Sequence, residues 1–162
     1  MSHLFWNKYL LLFLFSIVLL AQSPKRDLSK LSYDSIKKSF WDNEKDPKKQ
    51  LEYANAYIIK AKRENSSIEK ARGWYLISLK QEGNKAIQYL DSAIVASKNK
   101  NDIKLPAFAY SAKASELKKL FRFREALDNY ILAERIAHIN NIDFYFYSKF
   151  SIAILRSEEL GE

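Results

Sequence analysis

The sequence predicts an all-α protein, an α-solenoid of antiparallel helix pairs. Three observations carry that prediction. Only 3 glycines and 3 prolines occur in 162 residues, too few to punctuate a sheet-rich fold. Apolar residues recur at helical spacing between short polar breaks. The segment Ala86–Asp102 reappears as Ala126–Asp143 at an offset of 40 residues, a period typical of stacked helix pairs.

The chain opens on Met1–Lys8 and an uninterrupted apolar run, Tyr9–Ala21. That run is shorter than the ~20 residues a membrane-spanning helix needs and suits the core of a secretory signal. Residues 1–21 therefore read as a signal peptide cut between Ala21 and Gln22, ahead of an uncleaved anchor or a buried helix. Cleavage after Ser23 would face Pro24. Loss of Lys8 with the leader takes the net charge from +8 to +7. The polar stretch that follows, 22–28, reads as a tether to a repeat domain over 29–162.

Within that domain each helix has a local reason. Ser29 and Ser32 are candidate caps for a helix running to about Asn43, with Leu31, Ile36 and Phe40 inward. Asp46-Pro47 supplies an N-cap followed by proline at the first helical position. The helix it starts carries Leu51, Ala54, Ile58 and Ala61 and ends near Asn65. Ser66 or Ser67 caps the next, which carries Ala71, Tyr75, Leu76 and Leu79 and is ended by Gly83-Asn84. A helix with Ala86, Ile87, Leu90 and Ala93 stops at Asn99–Asp102. Another runs from about Ile103 to Leu120 with Pro106 in its first turns. The next carries Ala126, Leu127, Tyr130, Ala133 and Ala137 to Asn140-Asn141. The last spans about Asp143 to Leu160. The pairs are then about 29–65, 67–101 and 103–140, with a half pair over 142–160.

The repeat is more specific than its period. Leu90 and Tyr130, and Ala93 and Ala133, share the 40-residue offset of Ala86 and Ala126, and Ala56 lines up upstream with Ala93 at an offset of 37. From 110 onward the order is Tyr110, Ala114, Leu117, Phe123, Ala126, Tyr130, Ala133. Small residues at such places let helices approach closely, and large ones fill the space between pairs. This order resembles the tetratricopeptide repeat, with Lys113 and His138 as departures. A second copy uses Trp74 and Ser78 with a contracted turn at Glu82–Lys85, and the first copy is degenerate. Phe144, Phe146, Phe150, Ile154 and Leu155 would make a poor solvent face for a terminal helix, so a partner or further chain is expected there.

A narrower resemblance joins the leader, the tether and phrases such as KAIQYLDSAI and FREALDNYILAERIA. It is to the N-terminal sensory region of flavobacterial membrane-anchored regulators, in which signal peptide and tetratricopeptide repeats precede a transmembrane helix and an AraC-type helix-turn-helix domain. The resemblance implies an exported, periplasm-facing module that binds a protein or peptide and signals inward. It implies membrane anchoring through a C-terminal part not contained in these residues. The alternative is a stand-alone periplasmic scaffold or assembly protein.

Several chemistries fall away. With no cysteine there is no disulfide, thiolate metal site, thiol nucleophile or diacylglyceryl anchor. Three glycines do not build a phosphate loop. His138 stands alone after the leader, and no nucleophile–base pair or metal cluster is visible, so an enzyme, a metal and a cofactor are not expected. The lysines and arginines recur near helix ends, where cations are favourable anyway, so direct nucleic-acid contact by this segment is not expected either. Trp74, Tyr75, Phe108, Tyr110, Tyr145 and Tyr147 read mainly as packing between helices. The resemblance to the tetratricopeptide repeat implies a concave face lined by the first helix of each pair, with Phe108, Ser111, Ser115 and Lys118 as its ligand-contacting residues.

Overall fold

A computed structural model describes residues 27–98, 102, 104–140, 142 and 145–161. Among them every regular element is helical: α1 (Tyr33–Asp42), α2 (Pro47–Arg63), α3 (Ser67–Ser78), α4 (Gly83–Ser97), α5 (Lys104–Lys119), α6 (Phe123–Ile139) and α7 (Tyr145–Ile154). A 3-10 turn, Leu28–Lys30, precedes them, and α7 continues as a π-helical stretch, Leu155–Leu160. The leader and its cut between Ala21 and Gln22 lie outside the described residues, as do Phe144 and the side chain of Phe146.

The helix starts follow their caps. Ser32 accepts from the Ser35 amide, Asp46 from Lys49 and Ser66 from Glu69, each leaving its side-chain oxygen on an otherwise unpartnered first-turn N–H. Ser29 is not a helix cap. It sits in the 3-10 turn capped by Asp27, and Arg63 Nη2 donates to its carbonyl at 3.0 Å. The start of the expected repeat domain is thereby clamped to the last turn of α2.

Gly83-Asn84 does not end α3. That helix stops at Ser78, whose hydroxyl turns back onto the Tyr75 carbonyl at 2.6 Å. Glu82 is extended, and Gly83, at φ +56°, opens α4. No side chain of Glu82 caps α4. Glu116, 33 residues further on, accepts from the Gly83 amide at 2.9 Å, so a carboxylate from α5 sits at the positive end of the α4 dipole.

Each helix packs on the next in sequence, and α3 also touches α5. The core is correspondingly strung out. Ile36, Phe40, Tyr57, Ile58, Leu76 and Ile77 form one cluster across α1, α2 and α3. Ala114, Leu117, Ala126, Tyr130 and Leu155 belong to a second across α5, α6 and the π-helical stretch. Ala107, Ala137 and Ile142 make a third. Cores built from neighbours only are the mark of repeat-like helical folds.

Burial gives the register directly. Ala86, Leu90, Ala93 and Ser97 on α4 are each buried, as are Ala126, Tyr130, Ala133 and Ala137 on α6, at the same 4, 3, 4 spacing. On α2 the matching set is Gln50, Ala54, Tyr57 and Ala61. The first offset is therefore 36, not 37, with Tyr57 rather than Ala56 in the place of Ala93. On the first helices Ala71, Gly73 and Ser78 are buried in α3 and Ala107, Ala109 and Ala114 in α5, again 36 apart. Gly73 lets α3 meet α2 backbone to side chain: a Cβ there would lie 3.1 Å from the Ile58 Cα. The 36 of the first helices against the 40 of the second has one cause. α5 has 16 residues and α3 only 12, about one helical turn less.

Of the terminal apolar residues, Leu155 is wholly buried against α5 and α6, while Phe150 is 66% exposed. No described helix is long and apolar enough to cross a membrane.

Candidate functional site

A cavity of about 380 Å³ opens across the first helices α1, α3 and α5. Its apolar surface comes from Trp41 on α1, Tyr75 and Leu76 on α3, and Leu105 and Phe108 on α5. Lys37, Arg72 and Lys104 bring three cations to its wall against one carboxylate, Asp102. Trp41 is 52% exposed, a large aromatic presented to solvent rather than to the core.

The polar side is held by a network that joins three connections of the chain. Tyr57 on α2 donates its hydroxyl to Glu69 on α3. Glu69 accepts from Arg72 Nη1 at 2.8 Å. Arg72 Nε and Nη2 donate to Asp102 Oδ2 at 3.0 and 2.8 Å. The other oxygen of Asp102 accepts from the Leu105 amide at 3.1 Å, capping α5. One carboxylate thus starts α5 and ties it to α3, which positions Lys104, Leu105 and Phe108 on the cavity wall.

The electrostatics follow from that geometry. Partial burial works against the Arg72 charge, but hydrogen bonding to Asp102 and the nearby charge of Glu69 outweigh it, so its pKa is raised. Burial, reinforced by the hydrogen bond to Glu69, pushes the Tyr57 hydroxyl far above its ordinary value of 10.0. Burial alone raises Tyr75. Both phenols are neutral at physiological pH.

The four expected ligand contacts do not share one surface. Phe108 lines this cavity. Ser111 is 5% exposed, on the buried stripe of α5 with Ala107 and Ala114. Ser115 lines a second cleft near the C-terminal end of α5, and Lys118 is half-buried and borders neither. The physical reason is the α-helical stripe itself: Ala107, Ser111 and Ala114 stand at i, i+4 and i+7 and turn inward together. Of the packing residues, Ala114, Leu117, Ala126, Tyr130, Ala133, Ala86, Leu90 and Ala93 are buried, whereas Tyr110 and Phe123 are half-buried.

Among the aromatics, Tyr75 and Phe108 reach the cavity, while Trp74 stacks on Tyr89 at 5.7 Å and has the Lys62 ammonium 4.7 Å from its ring centre. The side chains of Tyr145 and Tyr147 lie outside the described residues. Sequence reasoning missed Trp41, Arg72 and Asp102. An exposed tryptophan near a helix end and an aspartate just ahead of a helix were the available signals.

Among the described residues no group of three or more His, Asp or Glu could hold a metal ion. These features define a class, the all-α helical repeat-like proteins. Compared with family models, curated proteins and solved structures, the chain gives no match.

Proposed function

We infer that the chain is a tetratricopeptide-type α-solenoid whose first helices bind a protein or peptide segment, and that it acts as the exported sensory part of a membrane-anchored transcriptional regulator. The observation that carries the binding role is the cavity shared by α1, α3 and α5. It combines a solvent-facing tryptophan, three further aromatics and three basic side chains, of which Lys37 and Arg72 are already paired with carboxylates. Such a surface suits an extended segment that inserts apolar side chains and offers polar or acidic groups to the rim. The even 4, 3, 4 burial of α2, α4 and α6 supports the solenoid reading. The regulatory output rests on the sequence resemblance alone.

Peptide display on the immobilised chain tests the binding role. Sequences enriched on the wild type should be lost on Phe108→Asp and Trp41→Ala, variants that leave the Arg72 network intact. Equal enrichment on all three proteins, or none on the wild type, overturns it.

A further inference from the structure

We propose that the cleft left by the shortened α3 is a second binding site, which takes an acidic peptide segment: Lys80 receives a carboxylate while a neighbouring aliphatic side chain enters against Leu79 and Leu90. The site arises from the difference in helix length. Ser78, where α3 stops, corresponds to Ala114, after which α5 continues to Lys119. The last turn of α5 has nothing opposite it on α3. The space beside Ser115 and Lys119 is a cleft of about 700 Å³, within the range of ligand sites. It is separate from the Phe108 cavity, which lies near the other end of α5.

Its charges select the ligand. Lys80 Nζ donates to the Gln50 side-chain oxygen at 2.7 Å and stands 5.7 Å from the centre of the Phe40 ring. Both partners are neutral, and among the described residues no carboxylate lies within 4.0 Å of that ammonium. Two carboxylates line the cleft: Glu116 is engaged by the Gly83 amide and by Lys119, and Glu82 is exposed at its edge, farther than 4.0 Å from the Lys80 ammonium. Lys80 is half-buried, where water screens a charge pair less than at an open surface. An incoming carboxylate therefore meets an ammonium with no carboxylate against it, since Lys119 is already held by Glu116. Beside that charge Leu79, Leu90, Ala112 and Pro47 give an apolar stretch of wall within an otherwise polar lining.

The probe is the capped dipeptide acetyl-Leu-Glu-amide, titrated into the full isotope-labelled chain in a neutral detergent and followed by amide signals. Saturable shifts at Leu79, Gln81 and Ser115 are expected. Acetyl-Leu-Gln-amide, which has the shape without the charge, should bind about tenfold more weakly, as should the acidic probe to Lys80→Met. Ser115→Trp fills the cleft while keeping Lys80 and its Gln50 partner in the sequence, and should abolish the shifts while leaving the helical spectrum unchanged. It and the neutral probe decide the matter if Lys80→Met loses its fold. Equal affinity for the two dipeptides overturns the proposal, as does the absence of saturable shifts up to about 10 mM. Shifts confined to Tyr75 and Phe108 assign the ligand to the cavity and also overturn it.

Discussion

Phe121 occupies a conformation that its side chain disfavours. Its φ is +60°, in the left-handed region, and its ring is 80% exposed. The turn requires it: the Phe121 amide donates to Lys118 and the Arg122 amide to Leu117, closing the end of α5. Asn65, at φ 50°, performs the same role after α2 with a residue better suited to it. Phe121→Gly should therefore stabilise the chain by about 1 kcal/mol, since relief of the backbone outweighs loss of the edge contact to Phe123. Urea midpoints measure this, and a lowered midpoint would show that the ring contributes more than the turn costs. Gln50 shows the opposite economy. Fully buried, it donates to the Phe40 carbonyl at 3.0 Å and accepts from Lys80, so one amide links the end of α1 to the turn after α3.

The helices depend on where their neighbours allow close approach. Gly73 touches Ile58 so tightly that a long side chain has nowhere to go. Gly73→Leu should cost about 3 kcal/mol through overpacking between α2 and α3. Ala133, wholly buried, should tolerate arginine no better: Ala133→Arg places an unpaired charge between helices and should abolish the cooperative helical melt. Circular dichroism against temperature checks both. Retention of a wild-type melt in Ala133→Arg would disprove the register of Ala93 and Ala133. The same scale explains the two offsets. The second helices keep one burial pattern, but the turn missing from α3 shifts them by four residues relative to the first.

At the scale of the whole molecule, the buried tyrosines make stability fall at alkaline pH. The raised Tyr57 keeps its proton in the folded chain when the unfolded chain releases it near the ordinary value of 10.0. The unfolded state then binds fewer protons, so stability is constant below that value and declines above it. The slope is about 1.4 kcal/mol per pH unit from Tyr57 alone, with Tyr75 adding in the same direction. Urea denaturation at several pH values between about 8 and about 11 should show this decline, with a shallower slope in Tyr57→Phe. A pH-independent midpoint would mean that the phenol ionises freely in the folded state.

The all-α class, most helix starts and the small residues of the repeat were legible in the sequence. Caps such as Asp46 and Ser66 act within one turn, and the stripe from Ala126 to Ala137 declares its own buried face. The tertiary structure alone decided what depends on remote partners. Gln50 reads as a surface residue until its amide meets Phe40 and Lys80, so the true offset of α2 was hidden. Asp102 reads as a helix breaker until it caps α5 and holds Arg72. Glu116 reads as a solvated charge until it caps α4. The groove residues scattered for the same reason. Local spacing says which residues of a helix turn together, but which face meets a neighbour and which meets open space is set by the lengths and stacking of the other helices.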